Sequence, residues 1–209
     1  MRATFVLGVL LGLAGVLAAA RFVPWVGPDR VPSHTTVVSN GGRAETFVIR
    51  LPADRIAVAG GEEAGLRAFG AAAAEPGSVL VEQFKVRDRE GQVIGVAARH
   101  RDPMGGASGA AWLLVVPGRG TMLLTGDAEP ARALDNALSS AGRRAGEAWS
   151  GEVRVVFPRP PSNGRILGGT HEFAGLEGTY TETWTITGVG ESGELRGTIE
   201  LATVTVRGT

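Results

Sequence analysis

Four titratable side chains fall on the predicted inward faces of β-strands, where folding would change their chemistry most. When the face richer in large apolar residues is taken as inward on each predicted strand, Glu45, Glu82, His100 and Glu182 lie on it. A carboxylate in apolar surroundings is costly unless it is paired or protonated. Its pKa therefore rises toward the range that suits proton transfer near neutral pH. Glu82, His100 and Glu182 are our candidate catalytic residues.

Glu82 and His100 form the preferred pair, because both lie on a hairpin predicted over residues 78–101. Two other interpretations stay open. A shift of one residue in the register of a strand turns its whole inward set toward solvent. Glu82 or Glu182 can also pair with an arginine or line a subunit interface.

A second group of inward side chains is predicted to form the walls of a ligand cavity. Tyr180 and Trp184 flank Glu182 on one strand, and Phe84 follows Glu82 on another. The predicted ligand-binding residues are Glu45, Phe84, Tyr180 and Trp184.

The sequence argues against several other chemistries. There is no cysteine, which excludes thiolate nucleophiles, disulfides and cysteine-ligated metals. The three histidines lack the spacing of a metal motif. Residues 188–193 match G-x-G-x-x-G, but a predicted strand follows them instead of the helix that would hold a pyrophosphate. The formal net charge is zero, which disfavours nucleic acid as a partner. We expect no cofactor and no metal.

The elements that must position these residues are mostly strands. Alternation of apolar and polar residues predicts strands and hairpins at residues 43–51, 78–101, 111–126 and 153–157, and a last hairpin with its loop at 188–194. A helix is predicted to begin near Glu129 and Pro130, because proline suits a first helical turn and an apolar stripe follows. Residues 62–74 are predicted as a short second helix. About eight strands at short spacing indicate a barrel or sandwich.

The segment GRILGGTHEFAGLEGTYTETW, residues 164–184, begins at Gly164 and carries four more glycines, at 168, 169, 175 and 178, in an otherwise strand-like stretch. Glycines in strands mark bulges, barrel corners or close approaches of two backbones. After Gly178 the chain alternates strictly, with Tyr180, Glu182 and Trp184 on one face and threonines on the other. A corner that leads into a long two-faced strand is what a closed sheet requires.

The N-terminus predicts export from the cytoplasm. Residues 3–20 are uncharged and apolar and end in three alanines, as in a cleaved signal peptide or a short membrane anchor. We expect a signal or anchor at 1–20, a linker at 21–34 and one domain at 35–209. The predicted location is periplasmic or secreted, with membrane contact only through residues 3–20 if they are not cleaved.

Three pieces of the chain, IGVAARHR, LLVVPGRGTMLLTG and ILGGTHEFAGLEG, resemble in this order the allene oxide cyclase and dirigent barrel superfamily. The resemblance covers roughly residues 43–206, and His171 and Leu176 stand where that family usually has glycine and alanine. It implies a mainly β fold, an eight-stranded antiparallel barrel, in which residues 129–148 form a helical insertion. It also implies a homo-oligomer. The resemblance assigns no catalytic residue of that family to a position of this sequence.

These observations predict an extracytoplasmic barrel that binds a small apolar ligand in its interior. One alternative is an enzyme of the cyclase or isomerase kind, or a dirigent-type guide, acting on such a ligand. A second alternative is a structural or interaction module of the envelope with a plugged barrel. An eight-stranded barrel has room for packed side chains or for one small ligand.

Overall fold

The computed structural model describes residues 30–38, 41–59, 80–101, 111–126, 130–157 and 164–208. The predicted signal or anchor at 1–20, most of the linker and the short helix at 62–74 lie outside these residues. No helix within the described ranges is long and apolar enough to cross a membrane. The elements, in chain order, are β1 (Thr36–Val37), β2 (Arg43–Leu51), β3 (Arg55–Ala59), β4 (Leu80–Arg87), β5 (Val93–Arg101), β6 (Ala111–Val116), β7 (Gly120–Thr125), α1 (Pro130–Ser140), β8 (Trp149–Phe157), β9 (Gly164–Gly169), a 3-10 turn (His171–Phe173), β10 (Leu176–Val189) and β11 (Leu195–Arg207).

The sheet closes into an antiparallel barrel. Eight strands follow one another around it in the order β2, β11, β10, β9, β7, β6, β5 and β4, and β4 pairs with β2 to complete the ring. The mainly β, eight-stranded barrel predicted from the sequence is therefore confirmed. Closure removes the free edges that an open sheet would expose.

The predicted inward faces are confirmed on three strands. Apolar residues at alternate positions of β2, β4 and β10 are buried in one core, among them Phe47, Phe84 and Trp184. Glu45, Glu82, Tyr180 and Glu182 share those faces and are also buried. Strict alternation made these strands predictable, because a strand with one buried face has only one acceptable register.

The predicted inward face of β5 is wrong beyond Ile94. The ladder between β4 and β5 pairs Val86 with Gly95 and Arg87 with Val93, so Ile94 is an extra residue in a β-bulge. A bulge reverses which side chains point inward. His100 is therefore exposed and Arg99 is buried.

The helical insertion lies outside the closed ring. Helix α1 begins at Pro130, as predicted, and buries Leu134 and Leu138. It ends at Ser140, and β8 follows it and pairs only with β10. β10 is long enough to hold β9 at its first residues and β8 at its later ones.

The glycine-rich segment forms a corner by allowing close backbone contact. A Cβ atom on Gly178 would lie 2.0 Å from the carbonyl oxygen of Val204 on β11. A Cβ on Gly164 would lie 2.1 Å from the ring of Tyr180. His171, where the resembling family has glycine, takes the left-handed conformation with φ of 52°. The segment therefore serves backbone geometry, as the sequence predicted.

The barrel closes at a staggered seam between β2 and β4. One residue pair, Val48 with Arg87, joins the two strands directly. β3 pairs with β4 on one side of this point, and β1 pairs with the first residues of β2 on the other. The seam therefore depends on short flanking strands and on side-chain contacts.

Asp54, in the turn between β2 and β3, stabilises the seam through hydrogen bonds to β4. Its carboxylate accepts hydrogen bonds from the Arg87 guanidinium at 2.7 to 3.0 Å and from the backbone N–H of Arg50 at 2.8 Å. Its carbonyl oxygen accepts the backbone N–H of Lys85 at 2.7 Å. Burial alone would raise the pKa of Asp54, but the bonds from Arg87 and Arg50 outweigh it and hold that pKa below its ordinary value.

We predict that Asp54→Asn destabilises the barrel in a pH-dependent way. The side chain of Asp54 is fully buried, so loss of the charge should lower the free energy of unfolding at pH 7 by about 3 kcal/mol or more. Because the folded-state pKa is lowered, the contribution of the carboxylate is complete above the ordinary pKa of 3.8 and is lost as the pH falls through the folded value.

Urea unfolding of both proteins across this pH range is the measurement. The difference in free energy of unfolding between wild type and variant should be constant at pH values well above the ordinary pKa of Asp54. This difference should become smaller at more acidic pH. Asp135→Asn, which removes a half-exposed carboxylate 3.7 Å from Arg143, is the matched control and should change stability little. An equally large difference in free energy of unfolding at acidic pH would contradict a stabilising role of the ionised Asp54 carboxylate.

Candidate functional site

Six inward side chains from β3, β4, β5, β6 and β10 form a charged and aromatic group that we call the interior cluster. Its members are Arg55, Glu82, Arg99, Trp112, Glu182 and Trp184. Two arginines balance two glutamates, so the cluster is formally neutral. All but Arg55 are at most 3% exposed.

Glu182 is held by two indole groups. Its carboxylate oxygens accept the N–H of Trp112 at 2.9 Å and the N–H of Trp184 at 2.5 Å. Trp184 lies two residues away on the same face of β10, whereas Trp112 reaches across from β6. Both buried indole donors are thereby satisfied, and the carboxylate is fixed in one orientation.

Arg99 connects the indoles to Glu82. Its guanidinium lies 5.5 Å from the ring centroid of Trp112 and 5.0 Å from that of Trp184, within the range of cation–π attraction. It also lies 3.7 Å from Glu82, and Arg55 approaches the other oxygen of Glu82 at 3.6 Å. The predicted pair of Glu82 with His100 is therefore wrong, because the bulge in β5 brings Arg99 to Glu82 instead.

A second site, which we call the rim cavity, opens at the end of the barrel where β2 begins and β11 ends. Its volume is about 180 Å³. The walls combine arginines, glutamates, hydroxyl groups and three apolar side chains. They are formed by Arg30, Ser33, Thr35, Arg43, Glu45, Arg119, Met122, Glu172, Phe173, Leu176, Thr203, Thr205 and Arg207.

Arg119, in the turn between β6 and β7, is the fixed centre of the rim cavity. Two of its nitrogens donate to the two oxygens of Glu45 at 2.6 and 2.8 Å, and its Nε donates to Glu172 at 3.2 Å. The guanidinium also lies 5.0 Å from the ring centroid of Phe173. Burial alone would lower the pKa of Arg119, but its bonds to Glu45 and Glu172 raise that pKa above the ordinary value.

The glycine-rich corner places Glu172 and Phe173 beside Arg119. A Cβ on Gly120 would lie 2.1 Å from the carbonyl oxygen of Thr170, so the corner packs directly on the start of β7. The backbone N–H of Glu172 donates to the carbonyl of Arg119 at 2.9 Å. The corner thus supplies two residues to the rim cavity.

Residues 30–38, which we call the N-terminal arm, form one wall of the rim cavity. Arg30 pairs with Glu172. Ser33 and Thr35 of the arm also line the cavity, as do residues of β2. The bond from Arg30 lowers the pKa of Glu172, burial opposes this, and the bond from Arg119 adds to the lowering. Arg119 therefore faces an ionised Glu172 at neutral pH.

The predicted site residues divide between the two sites. Glu45 lines the rim cavity, and Glu82 and Glu182 belong to the interior cluster together with Trp184. Phe84 packs on Trp112 with their centroids 5.8 Å apart, and Tyr180 packs on Gly164. His100 joins neither site.

The arginines of both sites were missed from the sequence. Arg43 shares its strand face with Glu45, and Arg207 shares its face with Thr203 and Thr205. The same alternation that selected Glu45 would have selected them. Arg119 lies in a turn, where alternation carries no information.

Within the described ranges, one group has enough ligand atoms to hold a metal ion. His34, Asp88 and Glu90 place one such atom each within 4.8 Å of one another. His34 and Glu90 are exposed, and Oδ1 of Asp88 already accepts the backbone N–H of Gln92 at 2.8 Å. We interpret the group as a contact between the N-terminal arm and the turn between β4 and β5, with Nε2 of His34 3.4 Å from Glu90 and 3.8 Å from Asp88.

No protein-family model and no curated protein sequence matches this chain. Among solved structures, the chain is similar to one described as "Pyocyanin demethylase", with 11% sequence identity and a TM-score of 0.38. The match covers 78% of this chain and 99% of that one. The strand pairing of this chain shows the barrel, and the resemblance to allene oxide cyclases stays a prediction.

We predict that Glu182→Gln destabilises the barrel. The amide nitrogen of glutamine would face one of the two indole N–H groups, which would leave a buried donor without an acceptor at a cost of about 1–3 kcal/mol. Urea unfolding at neutral pH is the measurement. Glu200→Gln on the exposed face of β11 makes the same chemical change and should cost little. Equal unfolding midpoints for the two variants would contradict a structural role of the Glu182 carboxylate.

Proposed function

We propose that this chain is a small-molecule-binding barrel and that its ligand occupies the rim cavity. One observation carries the proposal: a cavity of about 180 Å³ opens at the barrel end, and its floor is a buried arginine fixed by two glutamates. Because its neighbours already hold this guanidinium in one orientation, little conformational entropy is lost when a ligand binds to it. Specific binding sites require such preorganised polar groups.

The rim cavity also has the mixed lining of a ligand site. Met122, Phe173 and Leu176 offer apolar surface, and the polar part of the lining consists of hydroxyl groups of the N-terminal arm and of β11 with arginine and glutamate side chains. Sites for small molecules combine apolar walls with a few placed polar groups.

The position of the ligand differs from the position expected from the sequence. An apolar ligand in the interior would need the space that Trp112, Trp184 and Arg99 occupy, and each of these side chains is at most 1% exposed. The rim cavity requires no such rearrangement. We therefore propose a ligand with polar groups as well as apolar surface.

An enzyme of the isomerase kind is the alternative, and the geometry of Glu182 favours it. A buried carboxylate with a fixed orientation suits proton transfer to a substrate that reaches the interior. In that case Glu182→Gln or Glu82→Gln would abolish conversion of a bound ligand without abolishing its binding. Undiminished conversion in both variants would remove this alternative.

We also propose that residues 3–20 direct the barrel out of the cytoplasm, where it would meet ligands from the surroundings. The support is the apolar run with its small-residue end. A homo-oligomer remains a proposal based on the family resemblance.

The rim-cavity proposal predicts that a large side chain on the N-terminal arm blocks binding. Ser33 lines the cavity, so Ser33→Trp should fill it, whereas Thr36→Trp changes an exposed residue of the same arm outside the lining. Native mass spectrometry of the full chain and ligand-observed NMR with a library of small organic molecules are the measurements. Binding should be retained in Thr36→Trp and lost in Ser33→Trp. Equal binding by both variants would contradict the rim cavity as the site, and no binding by wild type would favour a plugged structural barrel.

A further inference from the structure

We propose that the rim cavity selects a small organic anion and that Arg43 and Arg207 bind its anionic group. This inference rests on the proposed function, because it names the class of ligand for the same cavity. It depends on where the four arginines of the lining lie and on what each of them contacts.

Strand parity directs Arg43 and Arg207 toward the cavity. Arg43 stands two residues before Glu45 on β2, and Arg207 stands two residues after Thr205 on β11. β2 and β11 are neighbours, and Arg43 pairs directly with Thr205. Because alternate residues of a strand share a face, both guanidinium groups belong to the inward face at the point where the barrel opens to solvent.

The acidic residues of the lining are already engaged by the other two arginines. Glu45 binds Arg119 through both of its oxygens, and Glu172 is shared between Arg119 and Arg30. The Thr205 hydroxyl donates to the backbone carbonyl of Arg43, but within the described residues no ion pair or hydrogen bond involves the guanidinium group of Arg43 or of Arg207. The cavity therefore presents two cations whose charge the neighbouring carboxylates do not neutralise.

This excess of positive charge determines the ligand class. Four arginines face two glutamates in the lining, so the local field attracts anions and repels cations. Arginine binds carboxylate groups through paired N–H donors, which gives direction as well as charge. The fixed Arg119 forms the floor, while the exposed Arg43 and Arg207 are free to close on an incoming anion.

The remaining walls favour an organic anion of small size. Met122, Phe173 and Leu176 would contact an apolar body, which an inorganic anion lacks. A volume of about 180 Å³ lies below the range of about 300–1,000 Å³ typical of ligand pockets, which favours a compact ligand over a nucleotide or a long chain. A compact carboxylate with an aromatic or branched body fits both conditions.

Benzoate and its neutral isostere benzamide are the probes for this inference. The full chain is titrated with each by NMR, in wild type, Arg43→Gln, Arg207→Gln and the control Arg154→Gln, which removes an exposed arginine from β8 outside the lining. We expect benzoate to bind more tightly than benzamide and each rim variant to weaken benzoate about tenfold, a change of about 1.4 kcal/mol. Arg154→Gln should bind benzoate as wild type does. Benzoate affinity should also fall as salt is added.

Two outcomes overturn the inference, and they separate it from the proposed function. If benzamide binds as well as benzoate and Ser33→Trp abolishes both, the cavity binds ligands but does not select anions. If benzoate binds equally to wild type, Arg43→Gln and Arg207→Gln, these arginines do not recognise it. Loss of benzoate binding in both rim variants, with unchanged urea unfolding, supports the inference.

Discussion

Closure of the barrel at the seam between β2 and β4 is the constraint on which the other features depend. β2 and β4 pair directly only through Val48 and Arg87, so the ring is completed by the pairing of β3 with β4 and by the bonds of Asp54 to Arg87 and Lys85. Without closure, water would reach the interior cluster, and the ion pair of Arg99 with Glu82 would weaken in the higher dielectric. The rim cavity depends on it too, because β2 supplies both Glu45 and Arg43.

The two polar sites differ in how their charges are compensated. The interior cluster is neutral and buried, and its charged groups lie beside one another: two indoles donate to Glu182, and two arginines lie beside Glu82. Such a network holds the side chains of a core in one arrangement. The rim cavity is open to solvent, and its arginines outnumber its carboxylates. Arginines that the neighbouring carboxylates do not neutralise can bind an anionic ligand more strongly than they bind water.

Most of the fold and part of the candidate site could be predicted from the sequence. Alternation identified the inward faces of β2, β4 and β10 because one face of each is continuously buried, and it thereby selected Glu45, Glu82 and Glu182. It failed at His100 because one extra residue at Ile94 reverses the faces of β5. The contact of Arg119 with Glu45 joins a turn to a strand 74 residues away, which no local pattern encodes. Arg43 and Arg207 lie on inward faces that alternation predicts, but alternation does not show that a cavity opens beside them.

The pairing of β2 with β11 has a consequence for how the chain acquires its shape. The first long strand of the barrel has as its neighbour the last strand of the chain, with Arg43 opposite Thr205 and Leu51 opposite Gly197. The N-terminal arm meets Glu172, which lies 142 residues further along. During synthesis, β2 therefore has no partner on that side until β11 is made, since Thr205 lies 162 residues after Arg43. High contact order of this kind is associated with slow folding, because loop-closure entropy is lost before the distant contacts form. The rim cavity, which both strands line, is incomplete until β11 has joined β2.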